Sequence, residues 1–186
     1  MAGGSLDGRR VAILLAEGVE DLEFHVTRMR LLEEGAEVVA AAVKLDEVRG
    51  KNGLPAKPDA LVGDVDPDGL LGLVVPGGWA PDKLRRSDEV LDLVRAVHGA
   101  GKPLGIICHG GSVAISAGIV GGRATGSLGI KDDLVMAGAE WVDEPAFRDR
   151  NIVWGRVVAD IPAFCRELMA ALREATSATA AERAAA

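Results

Sequence analysis

The feature that most constrains this chain is a series of short, almost uninterrupted apolar runs. Each ends in a turn signal and gives way to a segment of helical period. Arg10-Val-Ala-Ile-Leu-Leu15, Leu71-Gly-Leu-Val-Val75 and Pro103-Leu-Gly-Ile-Ile107 are too short to be buried helices and lack the alternation of a half-wet strand. They read as strands buried on both faces of a parallel sheet. Between the first run and Glu37–Val43, a second strand, Leu22, Val26, Met29 and Leu32 recur at helical spacing from Glu20 onward, and Gly35 follows as a stop. That is a β-α-β unit, for which the right-handed crossover is the rule.

Residues 46–68 carry Gly50-Lys-Asn-Gly53 and scattered prolines and acids without a sustained period, and read as loops with short antiparallel strands. Val90, Leu93, Val94 and Val97 mark the next helix, and Gly110–Gly118 a short helix of small residues. A turn-rich polar stretch runs from Gly121 to Asp133, with a helix beginning near Lys131. Glu140–Asp143 and Asn151–Gly155 read as short strands, and Ile161–Glu174 as a closing helix. The segment before Arg10 reads as a mobile leader and Ser177–Ala186 as a frayed tail, around one domain spanning 1–186 with its core at 10–174.

Charge and composition narrow the function. A net charge of −7 and an aromatic share of 3% disfavour nucleic acid, which needs cations for phosphate and rings for bases. No apolar run approaches the ~20 residues of a membrane span. Two cysteines, Cys108 and Cys165, far apart in sequence, suggest neither a disulfide framework nor a zinc site, so a reducing cytoplasmic setting is expected.

Cys108 follows the Pro103–Ile107 strand directly, and ligands of open parallel sheets gather outside the carboxyl ends of strands. A cysteine there faces the start of the next helix, where unpaired N–H groups favour a thiolate. The backbone N–H of His109 and that of Gly78, in the Pro76-Gly77-Gly78 turn, are candidate oxyanion donors. His109 is a candidate proton carrier, since imidazole titrates near neutrality. Cys165, inside the closing amphipathic helix beside Phe164, Leu168 and Leu172, reads as packing. His25 and His98 read as surface or packing residues.

These residues sit in ordered blocks: Gly18-Val-Glu20-Asp-Leu-Glu23, Leu31-Leu-Glu-Glu-Gly35, Gly50-Lys-Asn-Gly53, Val75-Pro-Gly-Gly78, Ile107-Cys-His-Gly110, Ile115-Ser-Ala-Gly118, Gly129-Ile-Lys-Asp-Asp133 and Gly138-Ala-Glu-Trp-Val-Asp143. With them the chain resembles the PfpI group of intracellular protease/amidase-like proteins, in the superfamily of the parkinsonism-associated deglycase. The resemblance implies an α/β, flavodoxin-like sandwich with a mostly parallel central sheet and helices on both faces. It implies a nucleophile at Cys108, assisted by a protonated Glu20 that donates a hydrogen bond to the thiolate. It also implies a homodimer or larger homo-oligomer in which His109 pairs with an acid from the next subunit, at the position of Asp82. Here Asp82 replaces the usual glutamate and Trp79 the usual arginine. The implied activity is glyoxalase or deglycase-like work on small carbonyl electrophiles with no metal or organic cofactor, and peptide or amide hydrolysis, redox sensing through Cys108 and a specialised biosynthetic role are alternatives.

Overall fold

The computed structural model describes residues 4–185, with side chains described through residue 178. In chain order the elements are β1 (Arg10–Leu14), α1 (Asp21–Glu33), β2 (Glu37–Ala42), β3 (Val48–Arg49), β4 (Pro55–Ala56), β5 (Ala60–Leu61), β6 (Gly72–Val75), α2 (Ala80–Leu84), α3 (Asp88–Gly99), β7 (Leu104–Ile107), α4 (Gly111–Ala117), β8 (Gly122–Ala124), α5 (Lys131–Met136), β9 (Ala139–Trp141), β10 (Ala146–Asp149), β11 (Ile152–Gly155) and α6 (Ile161–Ala185).

Seven strands form the central sheet in the order β10-β11-β7-β6-β1-β2-β5, parallel throughout except for β10, which pairs antiparallel with β11 at the edge. Strands β1, β6 and β7 lie inside it, and their residues are buried from Val11 to Leu14, Gly72 to Val75 and Leu104 to Ile107. That two-sided burial is what the continuous apolar runs require. Chain order reverses at β1, whose neighbours are β2 on one side and β6 on the other. In open α/β sheets such a reversal is where ligands gather, outside the carboxyl ends of the strands, here those of β1, β6 and β7. Helix α6 packs with α1 and against β7, β10 and β11, while α3 and α4 pack together and reach β6 and β7. The fold is the flavodoxin-like α/β sandwich. The glycines of the sheet let α6 come close: a Cβ at Gly105 would stand 3.0 Å from Phe164, and one at Gly72 would stand 2.8 Å from Leu172.

Several expectations change. The leader is anchored from at least Leu6, which is fully buried and donates its backbone N–H to the Glu34 carbonyl; Met1–Gly3 lie outside the described residues. At the other end α6 continues through Ala185, because the alanine-rich stretch is a good helix former, and Ala186 lies outside the described residues. The 46–68 segment supplies the expected antiparallel pair, β3 with β4, and also β5, which extends the main sheet in parallel. In α1 the buried side chains are Asp21, Glu23, Phe24, Thr27 and Leu31. Leu22, Met29 and Leu32, whose spacing announces the helix, are 46%, 65% and 51% exposed, on roughly the opposite face. This turning of α1 brings a carboxylate inward.

Candidate active site

Cys108 is the first residue after β7 and begins a single 3-10 turn that runs into α4. Its φ is 60°, one of two positive values among the described non-glycine residues. A left-handed cysteine costs about 1–3 kcal/mol and persists only where the surroundings impose it. Here they do: the Cys108 carbonyl accepts from the Ser127 N–H at 3.4 Å, and the buried turn into Gly110 lies against β6. The bend leaves the sulfur at the carboxyl end of the sheet, with the residue 8% exposed.

Four groups face that sulfur. The backbone N–H groups of His109 and Gly78 both pull its pKa down. The His109 ring places Nδ1 3.3 Å from Sγ. The fourth is the carboxyl group of Glu23: a Cβ placed on Gly77 would lie 2.7 Å from the Cys108 Cβ and 2.8 Å from Glu23 Oε2, and the carboxyl and the thiol each shift the other's pKa.

Glu23 is fully buried, and its Oε2 accepts the Gly77 N–H at 2.7 Å. Its Oε1 is buried without another partner. Gly77 cannot carry a side chain in this cradle, since a Cβ would lie 2.7 Å from the Cys108 Cβ, 2.8 Å from Glu23 Oε2 and 2.8 Å from the His109 nitrogen. Gly78 has φ +79° and pairs with Val19 across an isolated antiparallel bridge, so the turn after β6 is stitched to the start of α1.

Burial, reinforced by the charge of nearby Glu20 and opposed by the Gly77 N–H, pushes the Glu23 carboxyl up to about 7. Burial and the Glu23 charge push the Cys108 thiol up to about 12 against the two backbone donors. Two negative charges therefore resist coexisting in this space, and the pair holds at least one proton at neutral pH. Burial lowers the pKa of His109, as does the charge of Lys51.

The placement of Glu20 corrects the sequence reading. The carboxyl beside the sulfur belongs to Glu23, three residues further on. Glu20 is also buried, but it is the N-cap of α1: Oε2 accepts the Glu23 N–H at 2.8 Å and Oε1 accepts Asn52 Nδ2 at 3.3 Å. Its backbone N–H goes to the Gly77 carbonyl. Both of its oxygens are thus engaged as acceptors rather than donating to sulfur. The signal that pointed to Glu23 is its i, i+4 position relative to Thr27 on the face that also carries Phe24 and Leu31.

Asp82 lies on α2, exposed and ion-paired with Arg86; among the described residues no bond joins it to His109. Trp79, the N-cap of α2, is 65% exposed and rests against Gly18. Cys165 is buried in α6, its sulfur 3.9 Å from Thr27 Oγ1, and both cysteines are free. Among the described residues no group of three or more His, Cys, Asp or Glu side chains is arranged to hold a metal ion, and no helix is long and apolar enough to cross a membrane.

Comparison with known proteins places this geometry. Residues 9–171 match the model of the DJ-1/PfpI family. The chain is 40% identical to Deglycase PYRAB04690 of Pyrococcus abyssi over 165 residues, 88% of this chain and 99% of that protein. It is 36% identical to General stress protein 18 of Bacillus subtilis over 171 residues, 90% of this chain and 99% of that protein. The crystal structure of Drosophila melanogaster DJ-1beta superposes with a TM-score of 0.82 at 22% identity, covering 92% of this chain and 97% of that one. A match over most of the chain, with full-length relatives at this identity, establishes that this protein belongs to the DJ-1/PfpI family.

Proposed function

We propose that this protein is a cysteine-dependent enzyme acting on small carbonyl electrophiles, in the manner of a glyoxalase or deglycase. The observation that carries the reading is the Cys108–Glu23 pair, a buried thiol on the left-handed residue that follows β7 and a buried carboxyl beside it, which shift each other's pKa and compete for one charge. The deglycase name of the Pyrococcus abyssi relative supports the same class.

With one negative charge between them, the pair exists as thiol with carboxylate or as thiolate with carboxylic acid. In the second form the Glu23 O–H donates to sulfur, and no like charge opposes the thiolate. The thiolate adds to the aldehyde carbon of an α-oxoaldehyde: an S–C bond forms, and the carbonyl π pair moves to oxygen, for which the backbone N–H groups of Gly78 and His109 are the proposed donors. A proton reaches that oxygen, and the hemithioacetal carbon then gives its own proton to a base while the oxygen of the adjacent ketone accepts one, which leaves an enediol. The hydroxyl on carbon one next loses its proton as carbon two takes one up, so carbon one is oxidised to a thioester and carbon two reduced to an alcohol, with no outside oxidant. Water hydrolyses the thioester, returning the thiol and a 2-hydroxy acid. His109, at 3.3 Å from sulfur and with a lowered pKa, suits the proton transfers as a neutral imidazole. Conversion of methylglyoxal to lactate is the direct test, and a Cys108→Ser variant as fast as wild type would defeat the proposal.

A redox role has its own support. The same donors and a protonated Glu23 suit a sulfinate, which Cys108 reaches by taking one oxygen from each of two peroxide molecules, each leaving as water. A relative bears a general stress name. Intact mass after mild peroxide tests this role, and the absence of a selective two-oxygen adduct at Cys108 ends it. Peptide hydrolysis draws less support, because within the chain the candidate third member Asp82 is paired with Arg86. An Asp82–His109 contact between subunits belongs with a proposed homo-oligomer, for which exposed Leu22, Met29 and Leu32 on α1 provide an apolar face. Sedimentation showing a monomer at micromolar concentration would remove both.

A further inference from the structure

Glu20 and the adjacent Asp21 do more than begin a helix. Asp21 is buried, and its two carboxylate oxygens accept the backbone N–H groups of Asn52 and Leu54, each at 2.8 Å. Glu20 takes the Asn52 side chain. The loop closes on itself through the Gly50 N–H to the Leu54 carbonyl at 2.8 Å and the Gly53 N–H to the Gly50 carbonyl at 2.9 Å. A Cβ at Gly50 would fall 2.3 Å from Asp21 Oδ1, so the loop can approach this closely only with glycine there. Five bonds therefore fix a segment, Gly50–Leu54, that has no core of its own.

What that segment presents is Lys51. Its N–H donates to the Val19 carbonyl at 2.9 Å, and Val19 is the residue bridged to Gly78. The lysine is thus anchored one backbone contact from the turn whose Gly78 N–H lowers the pKa of the Cys108 thiol. Its side chain is exposed, and among the described residues it forms no ion pair. Its charge acts on both Glu23 and His109.

We propose that Lys51, held at the rim by the Glu20–Asp21 clamp, is a specificity-determining residue that favours electrophiles carrying a carboxylate over neutral ones of the same size. This deepens the functional proposal and rests on Cys108 being a reactive nucleophile. The chemistry is simple: an unpaired cation beside a site in a chain of net charge −7 offsets the repulsion an anion would otherwise meet on approach.

Iodoacetate and iodoacetamide differ by this charge and little else, and both alkylate sulfur by displacing iodide. The rate of labelling at Cys108, followed by peptide mass so that Cys165 is counted separately, gives a ratio for each protein. In Lys51→Met the iodoacetate to iodoacetamide ratio should fall about fivefold, with the iodoacetamide rate within about twofold of wild type. Lys51→Arg should restore the ratio, and added salt should shrink it in wild type. An unchanged ratio in Lys51→Met overturns the inference while leaving the nucleophile intact. Failure of both reagents to label Cys108 in wild type overturns the nucleophile and this inference together.

Discussion

The two cysteines of this protein sit in equally buried surroundings and differ in almost everything else. Cys108 is 8% exposed and Cys165 is 3% exposed, and burial pushes both thiols upward. Around Cys165 the polar company is Thr27 Oγ1 at 3.9 Å, within a regular helix. Around Cys108 are two backbone N–H groups, an imidazole nitrogen and a buried carboxyl, and the backbone is bent into a left-handed conformation to bring them together. Burial alone makes a cysteine inert. A reactive one needs polar groups that hold the charge once formed, and the comparison separates those two contributions within one chain. The largest test is therefore the pair of serine variants. Cys108→Ser should lower methylglyoxal turnover by at least about 10³-fold, and Cys165→Ser should stay within about twofold of wild type, as read by lactate formation. Comparable losses in both would dissolve the distinction.

The next effect concerns the carboxyl. Glu23→Gln keeps an oxygen for the Gly77 N–H but cannot share a proton with the sulfur, so turnover should drop about 10²-fold. The pH profile carries more than the magnitude. In wild type the pair loses its first proton near 7, so alkylation of Cys108 should climb about tenfold per pH unit below that and then level off. In Glu23→Gln the plateau should vanish, the rate rising steadily toward the pKa of the thiol alone. Stability follows the same proton. Because the folded carboxyl titrates near 7 and its ordinary value is 4.5, the native state retains a proton the unfolded chain has shed. Stability then falls as pH rises through that window, by roughly 3 kcal/mol in all. Urea titrations from pH 4 to pH 8 should show this decline in wild type and lose most of it in Glu23→Gln.

Glu23 also marks where sequence reading reached its limit. The buried strands were plain in the sequence because two-sided burial leaves continuous apolar runs, and the position of Cys108 at the end of β7 followed from them. The helix α1 was plain too, yet its orientation was not: Leu22, Val26, Met29 and Leu32 form the regular apolar series, whereas the buried side chains include Glu23, Phe24, Thr27 and Leu31. A series of apolar residues does not say whether it faces the core or another surface. The resemblance implies Glu20, the acid at the end of the first strand, and local hydrogen bonding decides against it. A residue in the N-cap position folds its carboxylate back onto the N–H three residues on, so Glu20 is used up in starting the helix that carries Glu23. The grip of Asp21 on residues 52 and 54 was beyond the same reading, since nothing in the spacing of a period-free loop names its anchor.

That division of labour predicts a smaller effect for Glu20. Glu20→Gln keeps an acceptor for the Glu23 N–H and a partner for Asn52, so the fold should lose no more than about 1 kcal/mol and turnover no more than about fivefold. Removing its charge also removes one cause that raises Glu23, so the midpoint of the Cys108 alkylation profile should move to lower pH. Glu20→Ala removes the cap as well, and should cost both stability and rate. A loss in Glu20→Gln as deep as that of Glu23→Gln would return Glu20 to the chemistry.

The smallest expected effect lies at the quiet cysteine. Thr27 Oγ1 and Cys165 Sγ are 3.9 Å apart, long for a hydrogen bond even to sulfur, and both atoms are buried between α1 and α6. Thr27→Val exchanges a hydroxyl for a methyl of similar size. It gives up a weak bond and the cost of burying a polar group together, so the two changes largely cancel. Denaturation should show a change under about 1 kcal/mol of either sign, and Cys165 should stay unlabelled by iodoacetamide until the protein unfolds. Cys108 reactivity should also hold within about twofold, although Thr27 lies one helical turn from Glu23. If it does not, the packing between α1 and α6 helps set the carboxyl at Cys108, and the two cysteines are energetically coupled through α1.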